Sequence, residues 1–458
     1  MGRPMTEGRA DAPTPGATAR LCASLVDLSA TRLPERVVAA AKVVILDGVA
    51  CLVAGTTEHS STIVRQYAAS VAGPAEASIV GEKRKASAAS AAFANGVALH
   101  SLDYEPQGAP PAHGTSSILP ALLALAERDG IPGYAVVRAF VLGWDVECRL
   151  RTAASGVRHA FHPSGIFGPL AATAACAVLL RLSASQTENA LGIAASAAGG
   201  LAANTPTMTK ATHAGNAARI GVEASQLARL GFDAAPGILE TRHGIAEAFF
   251  ESGTAWPSLH DGWGDRYSMA DPGVNIKPYP VQYPMLALIE AVLAARPPGF
   301  RADALDSAEI FGSEHITSRT DPDPSTGHAG RFSPEYCAAA ALVFGAVGLA
   351  AFEESARADL ALQDVLKRVR LTTRVADHAT RHAVSVRVVL RDGKTSTADR
   401  AFHRGSIKNP MTRDERLVKV YDCLAHGGRE ELAEQIVERV ERLDSLADLS
   451  SLTALLRA

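Results

Sequence analysis

Lysine is scarce in this chain. Lys42, Lys83, Lys85, Lys210, Lys277, Lys367, Lys394, Lys408 and Lys419 are nine against 36 arginines in 458 residues. A lysine set among apolar residues or prolines is therefore conspicuous. Cysteine is sparse too: the six (Cys22, Cys51, Cys148, Cys176, Cys337, Cys423) form no Cys-x-x-Cys pair. That excludes a zinc ribbon and fits free thiols in a reducing compartment, so a cytoplasmic protein is expected. With a formal net charge of −3 and no dense basic block, no nucleic-acid partner is expected. Gly-x-Gly-x-x-Gly after a strand, Gly-x4-Gly-Lys-Ser/Thr and His-Glu-x-x-His are all missing, so no motif supports nucleotide or metal chemistry. The apolar stretch 165–180 is too short to span a membrane and Arg181 ends it; a buried helix is expected there, and no membrane partner.

What is present is the composition of a globular protein, 47% hydrophobic and 20% charged, in a chain long enough for two domains. Residues 1–17 are polar and rich in Gly and Pro, without the apolar core of a signal peptide; they read as a disordered tail. Helical periodicity then runs through 18–30, 34–55, 59–70, 86–100, 116–128, 132–150, 165–181, 185–199 and the second half of 201–232. From about 270 the character changes. A Gly/Pro/Asp-rich stretch precedes a helix at 285–295. Residues 307–320 alternate like a strand, 337–353 and 362–370 read as helices, and 382–401 is a hairpin about Asp392-Gly393. The end of the chain is helical. We therefore expect a mainly α fold: a large helical domain built from both chain ends (18–269 and 405–458), with an inserted α+β lid (270–404) and ligand bound at their junction.

Five polar islands interrupt apolar surroundings, a costly arrangement unless the groups serve something. The first, 95–127, holds His100, Asp103, Tyr104, Glu105, Gln107 and His113 just before a long apolar helix. His113 is followed by Gly114 and three hydroxyl residues, and a helix N-terminus of that kind suits a carboxylate. His159 and His162 precede the 165–181 helix. Lys210 and His213, three apart, face one side of another helix start. Lys277 lies between prolines in 276-IKPYP-280. Tyr336 opens an apolar helix, where core packing and a substrate contact are equally open. Asp47, on an apolar helix face, reads as a local hydrogen-bonding residue or a support of the site. Histidines, lysines and an aspartate together suit a small molecule with several carboxylates. A histidine or aspartate would take a proton beside a carboxylate while cations stabilise the developing charge. Dehydration, decarboxylation and epimerisation all meet that description.

The chain also resembles the MmgE/PrpD family. The matching pieces are 43-VVILDGVACLVAG-55, 95-NGVALHSLDYE-105 with His113, 162-HPSGIFGPLAATAA-175, 191-LGIAASAAGGL-201, 207-TMTKATHAGNAARIGVEASQLARLGF-232, 237-GILETRHG-244, 276-IKPYP-280 and 333-SPEYCAAAAL-342. The resemblance implies a homodimer that needs no metal or cofactor, acting on a small di- or tricarboxylate. It implies Asp103, His113 and His162 as catalytic residues and Lys210, Lys277 and Tyr336 as substrate contacts, with His213 behind them. From the residues themselves, Gln107, an amide where the family has a hydroxyl, reads as a further substrate contact and His159 as lying behind His162. A dehydratase of the 2-methylcitrate type is the leading expectation. An epimerase of iminodisuccinate or a decarboxylase of cis-aconitate on the same scaffold is the alternative, and a carboxylate-binding homologue without turnover a further one. The chain departs from the family pattern at Glu105-Pro106-Gln107 and at Val281-Gln282-Tyr283.

Overall fold

Alanine and glycine on the contact faces let the helices of this protein approach closely. The computed structural model describes residues 16–71, 73–205, 207–377 and 380–457; nearly all of the expected tail lies outside them. Helices Ala17–Ala30, Glu35–Gly55, His59–Ser70, Ala88–Ser101, Gly114–Asp129, Gly133–Ala153, Pro163–Leu179, Ala184–Ala197 and Thr209–Arg229 pack around one core. The C-terminal helices Arg413–His426, Ala433–Glu441 and Ser450–Leu456 return to that same core. One close approach matters most for the site. A Cβ added to Gly96 would lie 2.8 Å from Gly215 Cα, and one added to Gly215 would lie 2.7 Å from Phe93 O. Only glycine at both positions lets these backbones touch. Their contact brings the end of the Ala88–Ser101 helix beside the start of the Thr209–Arg229 helix.

Among the described residues, Glu35–Gly55 is long and apolar enough to cross a membrane by length and composition. Here it is a core helix, buried along most of its length. Its one interior acid, Asp47, is paired with Lys419 of the Arg413–His426 helix at 2.9 Å.

A second core lies under a four-stranded mixed sheet. Leu305–Gly312 is central to it, parallel to Val369–Thr373 and antiparallel to Val384–Leu390, which pairs in turn with Thr395–Arg400. Helices Met285–Ala295 and Pro334–Phe344 pack against this sheet. The molecule is thus mainly helical, with a small mixed-sheet lid region inserted among helices. The Asp392-Gly393 hairpin forms as expected, with Gly393 at φ 83°. Three local expectations need correction. The strand expected over 307–320 ends at Gly312, and Glu314–Thr317 is a helical turn. The helix expected over 337–353 starts at Pro334 and stops at Phe344, because Gly345 adopts the left-handed conformation and caps it. Val369–Thr373, the end of the expected 362–370 helix and beyond, is a strand; pairing with the central strand overrides its local sequence.

Candidate active site

The site starts where the Ala88–Ser101 helix ends. Asp103 takes a left-handed backbone, φ 50°, a conformation a non-glycine residue adopts only when its surroundings enforce it. Two lysines enforce it. Lys277 Nζ donates to Asp103 Oδ1 and to the Asp103 carbonyl, both at 2.5 Å. Lys210 Nζ donates to the other carboxylate oxygen, Oδ2. Burial alone would raise the Asp103 pKa, but the two ammonium groups outweigh it and hold the carboxyl well below the usual range. The next residues are tied from both sides. Tyr104 donates its hydroxyl to Pro278 O at 3.0 Å, and its carbonyl accepts from Lys419 Nζ at 2.9 Å. Asp47 thus supports the site loop through Lys419.

Glu105 is fully buried and accepts hydrogen bonds from two histidines through one oxygen. His100 Nδ1 is one donor; His113 Nδ1, at 2.8 Å, is the other. An ionised carboxylate only accepts, so both Nδ1 atoms carry protons, and His113 Nε2 faces the Gln107 amide nitrogen at 2.9 Å. Burial disfavours the charged form of Glu105, but the two histidines outweigh it and keep its pKa well below normal. Burial lowers the His113 pKa to about 4 even though Glu105 pulls it upward. His100, Glu105 and His113 offer ligand-type atoms within 4.8 Å of one another. Two histidine–carboxylate hydrogen bonds already occupy them, so a cation held there would have to displace both.

Across from His113, with ring centroids 6.4 Å apart, stands His162, at the N-terminal end of the Pro163–Leu179 helix. Its Nδ1 is 3.0 Å from Nδ1 of His213. Burial and then the charge of Lys210 press the His162 pKa well below its ordinary value; burial presses His213 to about 4. Between these groups opens a cavity of about 380 Å³, lined on the helical side by Asp103, Gln107, His113, Arg151, His162 and Lys210. The lid contributes Gln282, Tyr283, His315, Arg319, Arg381 and His382.

The structure therefore brings Asp103, Gln107, His113, His162 and Lys210 to one cavity, with His213 directly behind His162. Lys277 is different: it is fully buried beneath Asp103 and reaches no cavity surface. Tyr336 is also absent from the cavity. It lies in the lid core against Phe352 and donates its hydroxyl to Ala351 O at 2.9 Å. An apolar setting and a satisfied hydroxyl make it a core residue rather than a substrate contact. His159, expected behind the site, has a fully exposed side chain 3.3 Å from Glu251. His100 and Glu105, named in the first island without a role, join His113 in one hydrogen-bonded chain. Their signal was the same as that of Asp103, ionisable groups within an apolar helix end. The lid residues Arg319, Arg381, His315 and His382 carried no signal, since a polar side chain in a loop reads as solvated surface.

A histidine–carboxylate pair faces a second histidine here, with cations on both walls, an arrangement whose charge suits an anionic ligand. The protein belongs to the MmgE/PrpD family: residues 19–256 match the MmgE/PrpD N-terminal domain and 279–445 the C-terminal domain. It is 28% identical to human cis-aconitate decarboxylase, over 94% of this chain and 92% of that protein. It is 30% identical to the mouse cis-aconitate decarboxylase, over 80% and 78% respectively. A cis-aconitate decarboxylase-like protein of Aspergillus oryzae is 26% identical over 97% and 98%.

Proposed function

We propose that this protein is a lyase of small polycarboxylates whose reaction is the decarboxylation of cis-aconitate or a close analogue. The observation that carries this reading is the Glu105–His113–Gln107 chain opening onto a cavity walled by cations. The likeness to decarboxylases over nearly the full chain supports it.

In this reading, Lys210 holds one substrate carboxylate with the donors that Asp103 leaves free, and lid cations take the outer ones. The bond to the departing carboxylate breaks and CO2 leaves. Its electron pair becomes a new carbon–carbon double bond, and the old double bond's pair takes up a proton. His113 is the donor, because among the described residues Glu105 is the one carboxylate in direct contact with a cavity histidine, and it stabilises the imidazolium. Gln107 serves both states: its amide nitrogen faces the lone pair of neutral His113, and after rotation its oxygen accepts from the protonated ring. Burial, and for His162 the charge of Lys210, favour the neutral histidines. A bound polyanion reverses that field and draws a proton onto His113.

Dehydration of a 2-methylcitrate-type substrate is the second reading, favoured by the burial that keeps His113 neutral near pH 7, the form a general base needs. The test is incubation in deuterated water with cis-aconitate, 2-methylcitrate, citrate and iminodisuccinate, followed by NMR. The expected result is CO2 release and a methylene dicarboxylate carrying one deuterium, lost in His113→Ala. Water loss or exchange with inversion would move the assignment to a dehydratase or an epimerase. Binding without any exchange would leave a non-catalytic homologue.

A further inference from the structure

Arg151 stands on the cavity wall without a fixed anionic partner. It sits near the end of the Gly133–Ala153 helix and lines the cavity alongside His113 and His162. Its guanidinium carbon lies 5.4 Å from the Phe167 ring centroid, a stacking contact that orients the group. Among the described residues the guanidinium makes no hydrogen bond or ion pair, and its Nε is buried without an acceptor. The lid arginines differ. Arg319 Nε donates to Gln282 Oε1 at 2.7 Å, and Arg381 Nε to His382 Nε2 at 3.2 Å.

One acid acts on Arg151 from a distance. Glu147, one turn back on the same helix, is buried, and neither of its oxygens has a hydrogen-bond partner. Its carboxylate is wedged against the N-terminus of the Gly114–Asp129 helix: a Cβ on Gly114 would lie 2.7 Å from Glu147 Oε2. Burial pushes the Glu147 pKa up to about 7, only partly opposed by Arg151, so near neutral pH it is an incomplete counter-charge. A half-buried, oriented guanidinium with unused donors leaves a free-energy gain for an incoming carboxylate, and its fork geometry matches that group bidentately.

We propose that Arg151 is the specificity residue for the third carboxylate of the substrate, the group that separates a tricarboxylate from a dicarboxylate. The inference rests on the polycarboxylate reading above and adds to it which wall reads the extra charge. Lys210, at the start of the Thr209–Arg229 helix and held by Asp103, takes a carboxylate common to both ligand classes.

Calorimetric titration at pH 7.5 with propane-1,2,3-tricarboxylate and with pentanedioate, neither of which has a double bond to react, tests it. The unaltered protein is expected to bind the tricarboxylate about 30-fold more tightly, the range of a charged hydrogen-bond pair. Arg151→Gln is expected to remove most of that ratio while leaving pentanedioate affinity within about threefold. Because Arg151→Gln strands Glu147, the double variant Arg151→Gln/Glu147→Gln is measured beside it, with far-UV circular dichroism as the folding check. Arg151→Lys, which keeps charge but loses the fork, should retain part of the ratio. Equal binding of the two ligands by the unaltered protein would overturn the inference. So would a ratio preserved in the folded variants, or an equal loss for both ligands. Binding of neither ligand by the unaltered protein would instead overturn the polycarboxylate reading, and this inference with it.

Discussion

His113 Nδ1 lies 2.8 Å from Glu105 Oε1, so the cavity histidine is oriented by a carboxylate eight residues upstream. Replacing Glu105 by Gln keeps the shape and removes the charge that stabilises the imidazolium. The expected outcome is a fall in kcat of about 10²- to 10⁴-fold, the usual span for disabling acid–base catalysis, with the fold intact by circular dichroism. Retention of near-full kcat would remove His113 from the proton-transfer role.

The histidines predict an acid-sensitive empty protein. His113, His213, His315 and His403 are lowered by burial to about 4, and His382 to about 3, from 6.5. Between pH 6.5 and 4 the unfolded chain therefore binds more protons than the folded one. Stability is present in full above pH 6.5 and is lost as pH falls toward 4. A bound tricarboxylate is expected to raise the cavity histidine pKa values and to reduce that loss. Scanning calorimetry should show Tm falling from pH 7 to 5, and a larger ligand-induced rise in Tm at pH 5.5 than at 7.5. A ligand effect independent of pH would contradict the coupling.

Lys277 is bonded to Asp103 and lies off the cavity. Lys277→Met leaves the left-handed Asp103 held by Lys210 alone, and breaking a buried pair in this way costs about 3–5 kcal/mol. Urea denaturation should register that loss. Asp103→Asn/Lys277→Met should lose less than the sum of the two single variants, because each single change leaves an uncompensated charge. Additive losses would mean that the two groups are not energetically paired.

Tyr336 is expected to matter for stability only. Tyr336→Phe removes the hydroxyl that satisfies Ala351 O, at a cost of about 1–2 kcal/mol. Steady-state kinetics with the reactive polycarboxylate should show KM and kcat within about twofold of the unaltered protein, as for a change remote from the bound substrate. A tenfold rise in KM would return Tyr336 to the site.

Helices, the hairpin and the polar islands were legible in the sequence because each rests on local chemistry. Apolar period, Pro and Gly punctuation, and ionisable groups in apolar surroundings need no knowledge of distant contacts. That was enough to mark Asp103, His113, His162 and Lys210 as candidates. The family pieces in the chain named the scaffold as well. Tertiary structure alone decided how these groups divide their roles. Lys277 and Lys210 look alike in sequence, yet one is sealed beneath Asp103 and the other faces the cavity, because the Gly96–Gly215 contact sets one helix start beside another helix end. Tyr336 and Tyr283 both follow prolines closely, yet only Tyr283 reaches the cavity. Val369–Thr373 became a strand only because the central strand was there to pair with it. The cations at the cavity wall and lid, Arg151, Arg319 and Arg381, had no sequence signal. The meaning of an arginine depends on which side chains are left to neutralise it, and that is a property of three-dimensional neighbourhood, not of spacing along the chain.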